Sequence, residues 1–290
     1  MKTPDCKICG SRTVYFGEKT GSVIPTSFRF SRCESCSFIS VINPCLDFAR
    51  LYDQKYYQGK GADPYVDYEF ELEHPDRTVR RYEWRGIHEI VRRLAPDLTS
   101  ARWLDYGCGN GGLVRYLRAR NVDAVGFDEG SIVDVARRHG IPIKRPDEIE
   151  SEAGQYSIVT MIEVIEHIPD PVPLLRKVRE LIKPGGLLFL TTGNAAPQRN
   201  DFLKWRYVVP DIHVSFFDPE NMKAALAASG FRTESPGFAS GWEDVVRFKV
   251  LKTLGVRRSS VWEQMIPWKP AARLVDRKVR LSDYPVGYAI

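Results

Sequence analysis

At 290 residues, 43% hydrophobic and 27% charged, the chain has the length for one large domain plus a small one and the composition of a globular protein. It holds no apolar run near the roughly 18 residues of a membrane span and no apolar leader at its start, so a cytoplasmic location is the expectation. A net charge of +5 is too small to imply nucleic-acid binding, but it is uneven: residues 247–280 hold ten Lys or Arg against Glu263 and Asp276, and the remainder is slightly acidic.

Cys6-Lys7-Ile8-Cys9 and Cys33-Glu34-Ser35-Cys36 are two C-x2-C knuckles separated by 23 residues. Each lets two thiolates reach one ion from a tight turn, and in a reducing compartment four such thiols favour zinc over disulfides. Cys6, Cys9, Cys33 and Cys36 are therefore read as a structural zinc site whose closed shell takes no part in catalysis; a redox pair or free thiols is the competing reading. Residues 14–30, rich in Thr, Ser, Val and aromatics, suit short ribbon strands. Cys45 and Cys108 stand outside the set and read as packing residues. Residues 43–75 carry Tyr52, Tyr56, Tyr57, Tyr65 and Tyr68, an aromatic segment that either covers a ligand cleft or packs the ribbon onto the main domain. Helical spacing over residues 77–94 ends before Pro96 and leads into the next segment.

Trp103-Leu104-Asp105-Tyr106-Gly107-Cys108-Gly109-Asn110-Gly111-Gly112 reads as a buried strand, a glycine turn and a helix start. Glycine at 107, 109 and 111 permits positive φ and lets a ligand approach the main chain, with the N–H groups of the helix start facing it. Further on, Val125-Gly126-Phe127-Asp128 reads as a second strand ending in an acid, a position where a carboxylate can accept both hydroxyls of a ribose. Ser131 is placed to cap a helix closed by Gly140, and residues 141–144 read as a third strand.

The order acid-x-Gly-x-Gly-x-Gly from Asp105 to Gly111 resembles the first motif of the class I S-adenosylmethionine-dependent methyltransferases. Residues 158–171 resemble that superfamily's fourth-strand region, and Lys183-Pro184-Gly185-Gly186-Leu187-Leu188-Phe189-Leu190 its helix, turn and fifth strand. The resemblance implies an α/β fold, a Rossmann-like seven-stranded methyltransferase sheet, with S-adenosyl-L-methionine as cofactor. It implies a cofactor-binding set of Asp105, Gly107, Cys108, Gly109, Gly111, Phe127, Asp128 and Glu163, in which the glycines admit the methionine part, Asp105 orients its ammonium and Asp128 holds the ribose. Asp147 is the candidate acid near the adenine, and Tyr156-Ser157 stands where the superfamily usually carries Phe-Asp. The Lys-Pro-Gly-Gly tetrad is expected to turn tightly into a strand over residues 187–191.

Glu163, Glu166 and His167 form E-x-x-E-H, and His213 returns much later in Asp211-Ile212-His213-Val214-Ser215. On the superfamily pattern both groups border the substrate mouth at the carboxyl ends of the strands. Two carboxylates and two imidazoles can hold a divalent ion, Mg2+ or another, so Glu163, Glu166, His167 and His213 form a candidate second metal site. The combination resembles the magnesium-dependent small-RNA 2′-O-methyltransferases and, for E-x-x-E-H, the ubiquinone-pathway O-methyltransferases. Such a metal would bind a substrate hydroxyl or vicinal diol and lower its pKa. Without it, Glu166 and His167 fix the loop, and His213 or His167 is the candidate general base, so that His213, His167 and Glu163 make the catalytic set.

Residues 193–209, polar with Trp205, Arg206 and Tyr207, read as a substrate-side insertion. A helix capped by Asp218 and closed by Gly230 precedes a strand over residues 231–234. Two helical patterns follow, over residues 242–254 and 270–281, with Trp262 and Trp268 between them; they cover the core and expose a cationic side, or rest on a membrane surface or a phosphorylated glycan substrate. Residues 284–290 would supply a final strand, antiparallel in this fold.

The organisation read from the sequence is thus a zinc ribbon over 1–42, an aromatic cover and helical lead-in over 43–100, and a methyltransferase domain over 101–290 with a basic helical insertion at 242–281. This arrangement resembles sugar-modifying methyltransferases of bacterial secondary metabolism and surface-glycan pathways. The expected activity is O-methylation of a sugar, nucleotide sugar, glycan or other small hydroxylated metabolite. Metal-assisted 2′-O-methylation of RNA ends is the first alternative, and a non-catalytic module that recruits a partner through the ribbon is the second.

Overall fold

A computed structural model describes residues 3–47, 51, 67–98 and 101–290. Tyr52, Tyr56, Tyr57 and Tyr65 of the expected aromatic cover lie outside the described residues. The N-terminal part folds as strands β1 (Thr13–Thr20), β2 (Ser27–Cys33) and β3 (Ile39–Val41). Helices α1 (Tyr68–Glu73) and α2 (Arg80–Leu94) lead into β4 (Trp103–Tyr106), α3 (Gly112–Arg118), β5 (Ala124–Phe127), α4 (Ile132–Arg138), β6 (Ile143–Lys144) and α5 (Pro146–Glu150). Then come β7 (Tyr156–Ile162), α6 (Pro171–Leu181), β8 (Ile182–Thr191), β9 (Ser215–Phe216), α7 (Pro219–Ala228) and β10 (Phe231–Glu234). The chain closes with α8 (Trp242–Thr253), α9 (Val261–Gln264), α10 (Trp268–Val279) and β11 (Val286–Ala289).

Among the described residues the strands form two sheets. The larger has the order β10-β11-β8-β7-β4-β5-β6. β6, β5, β4, β7 and β8 pair in parallel, whereas β11 runs antiparallel to both β8 and β10. Parallel strands covered on both faces must be apolar nearly throughout, which is why Tyr156 through Met161 of β7 and Leu187 through Leu190 of β8 are all buried. One face packs with α6 and α7 through residues such as Leu175, Val178 and Met222; the other packs with α2, α3 and α8 through Ile87, Ile90, Val114 and Trp242.

Two local expectations are corrected and a third is sharpened. The Lys-Pro-Gly-Gly tetrad does not precede its strand: β8 starts at Ile182, pairs with Tyr156, and resumes at Leu187 opposite Ile158, so the tetrad is an extended bulge inside β8, with Gly185 at a φ of 75°. Ser131 occupies the N-cap of α4 but makes no side-chain cap bond. The basic insertion begins with a helix that is largely core, since α8 buries Trp242, Val245, Val246, Phe248 and Leu251.

The smaller sheet has the order β1-β2-β3-β9, antiparallel throughout. Its fourth strand comes from 174 residues further along the chain than β3, counted from Val41 to Ser215. Phe28, Phe30 and Ile39 of the ribbon pack with Phe202, Val208, Val214 and Phe216. The ribbon is therefore joined to the main domain through backbone pairing as well as through apolar contact.

Candidate functional site

The loop after β4 is set by conformation first. Gly107, Gly109 and Gly111 take φ values of 78°, 54° and 71°, the left-handed region that costs an L side chain most. A Cβ at 107 would stand 2.4 Å from Val164 and one at 111 would stand 2.8 Å from Ile141, so packing also demands glycine at both. At 109 the nearest neighbour is the Tyr68 ring at 3.5 Å, an ordinary contact. Gly109 and Tyr68 both line a recess open to solvent, with Arg80, Glu83, Asp105 and Asn110 among its other walls.

Asp128 ties this loop to the next one. Its Oδ2 accepts from the Gly109 N–H at 2.8 Å and its Oδ1 from the Gly130 N–H at 2.7 Å. Each carboxylate oxygen has a second lone pair, so the capacity to accept two hydroxyls is kept. Burial raises its pKa while the backbone N–H groups pull the other way. Asp105 is 4% exposed and accepts a 2.8 Å hydrogen bond from the Thr160 hydroxyl, which itself accepts from Trp103 Nε1 at 3.1 Å. Burial, reinforced by the charge of Asp128, pushes the Asp105 carboxyl up to about 7, against the pull of Thr160.

Beside them lies a buried ion network. The Arg80 guanidinium donates to Glu71 and Glu83 at 2.9 Å each, and Lys249 of α8 stands 3.3 Å from Glu83 and 3.0 Å from Glu163. Asn110 links the network to the loop by donating to Glu71 at 3.1 Å and accepting from the Gly112 N–H at 3.0 Å. Of the charged groups, Arg80, Glu83 and Asp105 line the recess itself, two carboxyls against one guanidinium, so it suits a ligand that brings positive charge.

Cys108 and Phe127 are both buried; Cys108 lines the recess, and burial holds its thiol well above the usual range. The Phe127 ring packs 4.8 Å from Tyr106. Asp147 is exposed in the first turn of α5 and is not among the recess-lining residues.

Of the four candidate second-metal ligands, three converge. Carboxylate and imidazole atoms of Glu166, His167 and His213 lie within 4.8 Å of one another. Glu163 does not join them: it holds a strained φ of 54°, and its carboxylate accepts from Thr191 at 3.1 Å and pairs with Lys249. Burial alone would raise the Glu163 pKa, but the ammoniums of Lys249 and Lys252 outweigh it and the net shift is downward. Glu166 is fully buried, accepting from Tyr207 at 2.5 Å and from Thr192 at 2.9 Å; burial and the nearby Glu163 charge push it up to about 8. His167 Nδ1 lies 2.9 Å from the Ile212 carbonyl and His213 Nδ1 2.6 Å from the Tyr207 carbonyl. A carbonyl can only accept, so each neutral ring carries its proton on Nδ1 and its lone pair on Nε2. The two rings meet edge to face with centroids 4.9 Å apart.

His213 is fastened on both sides by the ribbon. Asp211, fully buried, accepts from the N–H groups of Ser22, Val23 and Ile24 at 2.7, 3.1 and 2.7 Å, and the Val214 carbonyl accepts from Val41 N at 2.9 Å. The knuckle sulfurs also converge: Cys6 and Cys36 are 3.6 Å apart, Cys9 and Cys33 3.5 Å, Cys9 and Cys36 3.7 Å. Four sulfurs about 2.3 Å from a tetrahedral zinc would sit roughly 3.8 Å apart, so the set fits that ion.

Tyr68 of the expected aromatic cover does line the recess, while sequence reasoning missed Arg80, Glu83, Thr160 and Lys249. One signal was present: Glu83 interrupts the apolar stripe of α2 between Tyr82 and Ile87, and a charge on a buried face needs partners. Lys249 gave none, because it lies 86 residues beyond Glu163 in sequence, counted from the two positions.

The profile of the family described as "Methyltransferase domain" matches residues 77–235, more than half of the chain. The ubiquinone biosynthesis O-methyltransferase of Acinetobacter baylyi is 34% identical over 136 residues, 40% of this chain and 56% of the relative. That of Bordetella avium is 37% identical over 137 residues, 40% and 55% of the two chains. The chain thus spans about half the length of the curated relatives it matches. Human N-acetylserotonin methyltransferase in complex with SAM is a structural neighbour with a TM-score of 0.49 and 16% identity, covering 67% of this chain and 57% of that one. With its strand order and its glycine loop inside the matched span, the chain belongs to the methyltransferase-domain family.

Proposed function

We propose that the protein transfers a methyl group from S-adenosylmethionine to an oxygen of a small hydroxylated acceptor, a sugar or nucleotide sugar in the finer reading. The observation that supports this is a recess lined by Glu83 and Asp105 under the glycine loop, linked through Lys249 and Glu163 to the charge of His213, whose ring carries its proton on Nδ1 and its lone pair on Nε2. S-adenosylmethionine supplies an electrophilic methyl group on a sulfonium that departs as a neutral thioether. The chain's own residues then have three tasks. Gly109 and Asp128 hold the adenosine side, with Asp128 accepting from the ribose hydroxyls. Asp105 and its neighbours balance the cofactor's cationic groups. His213 Nε2 takes the proton of the acceptor hydroxyl as its oxygen bonds to the methyl carbon.

As the alternative to base catalysis, Glu166, His167 and His213 would hold a divalent ion that polarises the acceptor oxygen, with His213 Nε2 then a ligand and not the base. Two imidazoles and one carboxylate suit Mn2+, Co2+ or Zn2+ better than Mg2+, since Glu163 is held by Lys249. Cys6, Cys9, Cys33 and Cys36 would hold a structural zinc.

Calorimetry with S-adenosylmethionine, followed by label transfer to a panel of nucleotide sugars, catechols and a short RNA, tests the proposal. Cofactor binding with turnover on a sugar or phenol supports it. Absence of cofactor binding returns the chain to a partner-recruiting role, and turnover on RNA alone replaces the acceptor class.

A further inference from the structure

The insertion between β10 and β11 carries a small apolar knuckle that nothing among the described residues covers. Val261, Trp262, Met265 and Ile266 are 74%, 80%, 70% and 42% exposed. On a helical turn these positions span an arc of about 140°, and Glu263 points to the other side. Glu263 is the knuckle's anchor: it is 5% exposed, accepts from the Tyr82 hydroxyl at 2.6 Å and pairs with the Arg247 guanidinium, while its carbonyl accepts from Trp268 Nε1 at 2.6 Å. Arg247 lies 3.6 Å over the Tyr82 ring, so the pedestal draws on α2, α8 and α10 at once. An apolar turn that is held rigidly by a buried ion pair yet presents a tryptophan to water is a built surface feature, not loose packing.

Charge decides what it fits. Between residues 245 and 275 the only acidic side chain is Glu263, which is buried and paired. Arg258, Lys269, Arg273 and Lys278 are exposed on either side of the knuckle in the chain. The segment therefore combines an apolar projection with exposed cations on both sides of it in the chain, the complement of an anionic lipid interface: acyl chains below, phosphates around. We infer that this knuckle docks the protein peripherally on anionic membranes, with Trp262 and Met265 entering the interface. Among the described residues no helix is long and apolar enough to cross a membrane, so the contact is a surface one.

Sedimentation of the full chain with phosphatidylglycerol vesicles, and with phosphatidylcholine vesicles as the uncharged control, tests this without reference to any acceptor. The expected result is binding to the anionic vesicles that weakens with added salt and falls by about tenfold in the double variant Trp262→Ser, Met265→Ser. Both side chains are mostly exposed, so the variant should keep its fold, checked by an unchanged melting temperature and cofactor affinity. Failure to bind anionic vesicles, or equal binding by the double variant, overturns the inference. A chain that is dimeric by light scattering and becomes monomeric in the double variant also overturns it, assigning the knuckle to a second copy.

Discussion

The recess under the glycine loop and the cluster of Glu166, His167 and His213, its proposed rim, are built in opposite ways. The glycine loop of the recess is local: Asp105 to Gly112 and Ala124 to Asp128 supply it, its tie and two acids from short stretches on adjacent strands, while Tyr68, Arg80 and Glu83 wall the recess from outside them. The rim is assembled from far apart, with Glu166 and His167 after β7, Tyr207 and His213 in the insertion, Lys249 on α8, and the ribbon bracing Asp211 and Val214. A cofactor that is the same in every relative can be held by a fixed local motif, whereas an acceptor site has to be re-formed from insertions. If that division holds, damage to one half should leave the other measurable.

The sharpest separation is expected from His213→Ala. Loss of a positioned base costs about 10²- to 10⁴-fold in kcat, while cofactor affinity by calorimetry should stay within about twofold. A parallel loss of cofactor binding would show that rim and recess are one unit. Asp128→Ala is the converse. It strips the acceptor from two backbone N–H groups and from the ribose, and charge-assisted hydrogen bonds of this kind contribute about 1.5–3 kcal/mol, so affinity should drop by about tenfold to a hundredfold. The tautomer of His213, read by NMR, should not move.

A third substitution asks whether the ribbon belongs to the rim. Asp211→Asn keeps size but turns one acceptor into an NH2 group that faces backbone N–H donors, so the turn at Ser22 to Ile24 loses part of its clasp. The expected outcome is a fall in kcat of about tenfold with little change in cofactor affinity, and a shifted His213 ring resonance. Chelation of the zinc proposed at the knuckles should act in the same direction, releasing four thiols and lowering turnover before cofactor binding. An Asp211→Asn enzyme with unchanged kcat would return the ribbon to a separate module.

How much of this was legible follows from the same division. The glycine motif, Asp128 and the knuckles are patterns of near neighbours, readable from spacing, whereas the antiparallel direction of the final strand came from the resemblance to the superfamily. The pairing of β3 with β9, the clasp of Asp211 on residues 22–24, and the diversion of Glu163 to Lys249 are long-range choices that no local period encodes. E-x-x-E-H together with His213 offered four ligands; the structure brings three together because Glu163 is turned to positive φ and its carboxylate meets the Lys249 ammonium.

The smallest effect expected is one of pH on the recess. Burial holds the Asp105 carboxyl near 7, against an ordinary value of 3.8, so in the empty recess it is largely neutral below that pH and charged above it. A ligand carrying ammonium and sulfonium charge favours the carboxylate, so binding should release a proton and affinity should rise with pH, by at most about tenfold per unit below 7, and level off above. Asp105→Asn should flatten the profile. Thr160→Val provides the finer check: it removes the hydroxyl that stabilises the charged form and leaves Trp103 Nε1 without its acceptor, so the rise in affinity should move to higher pH. A profile that ignores both substitutions would place the titrating group elsewhere, and would mean that the buried acid of β4 orders the loop without meeting the ligand's charge.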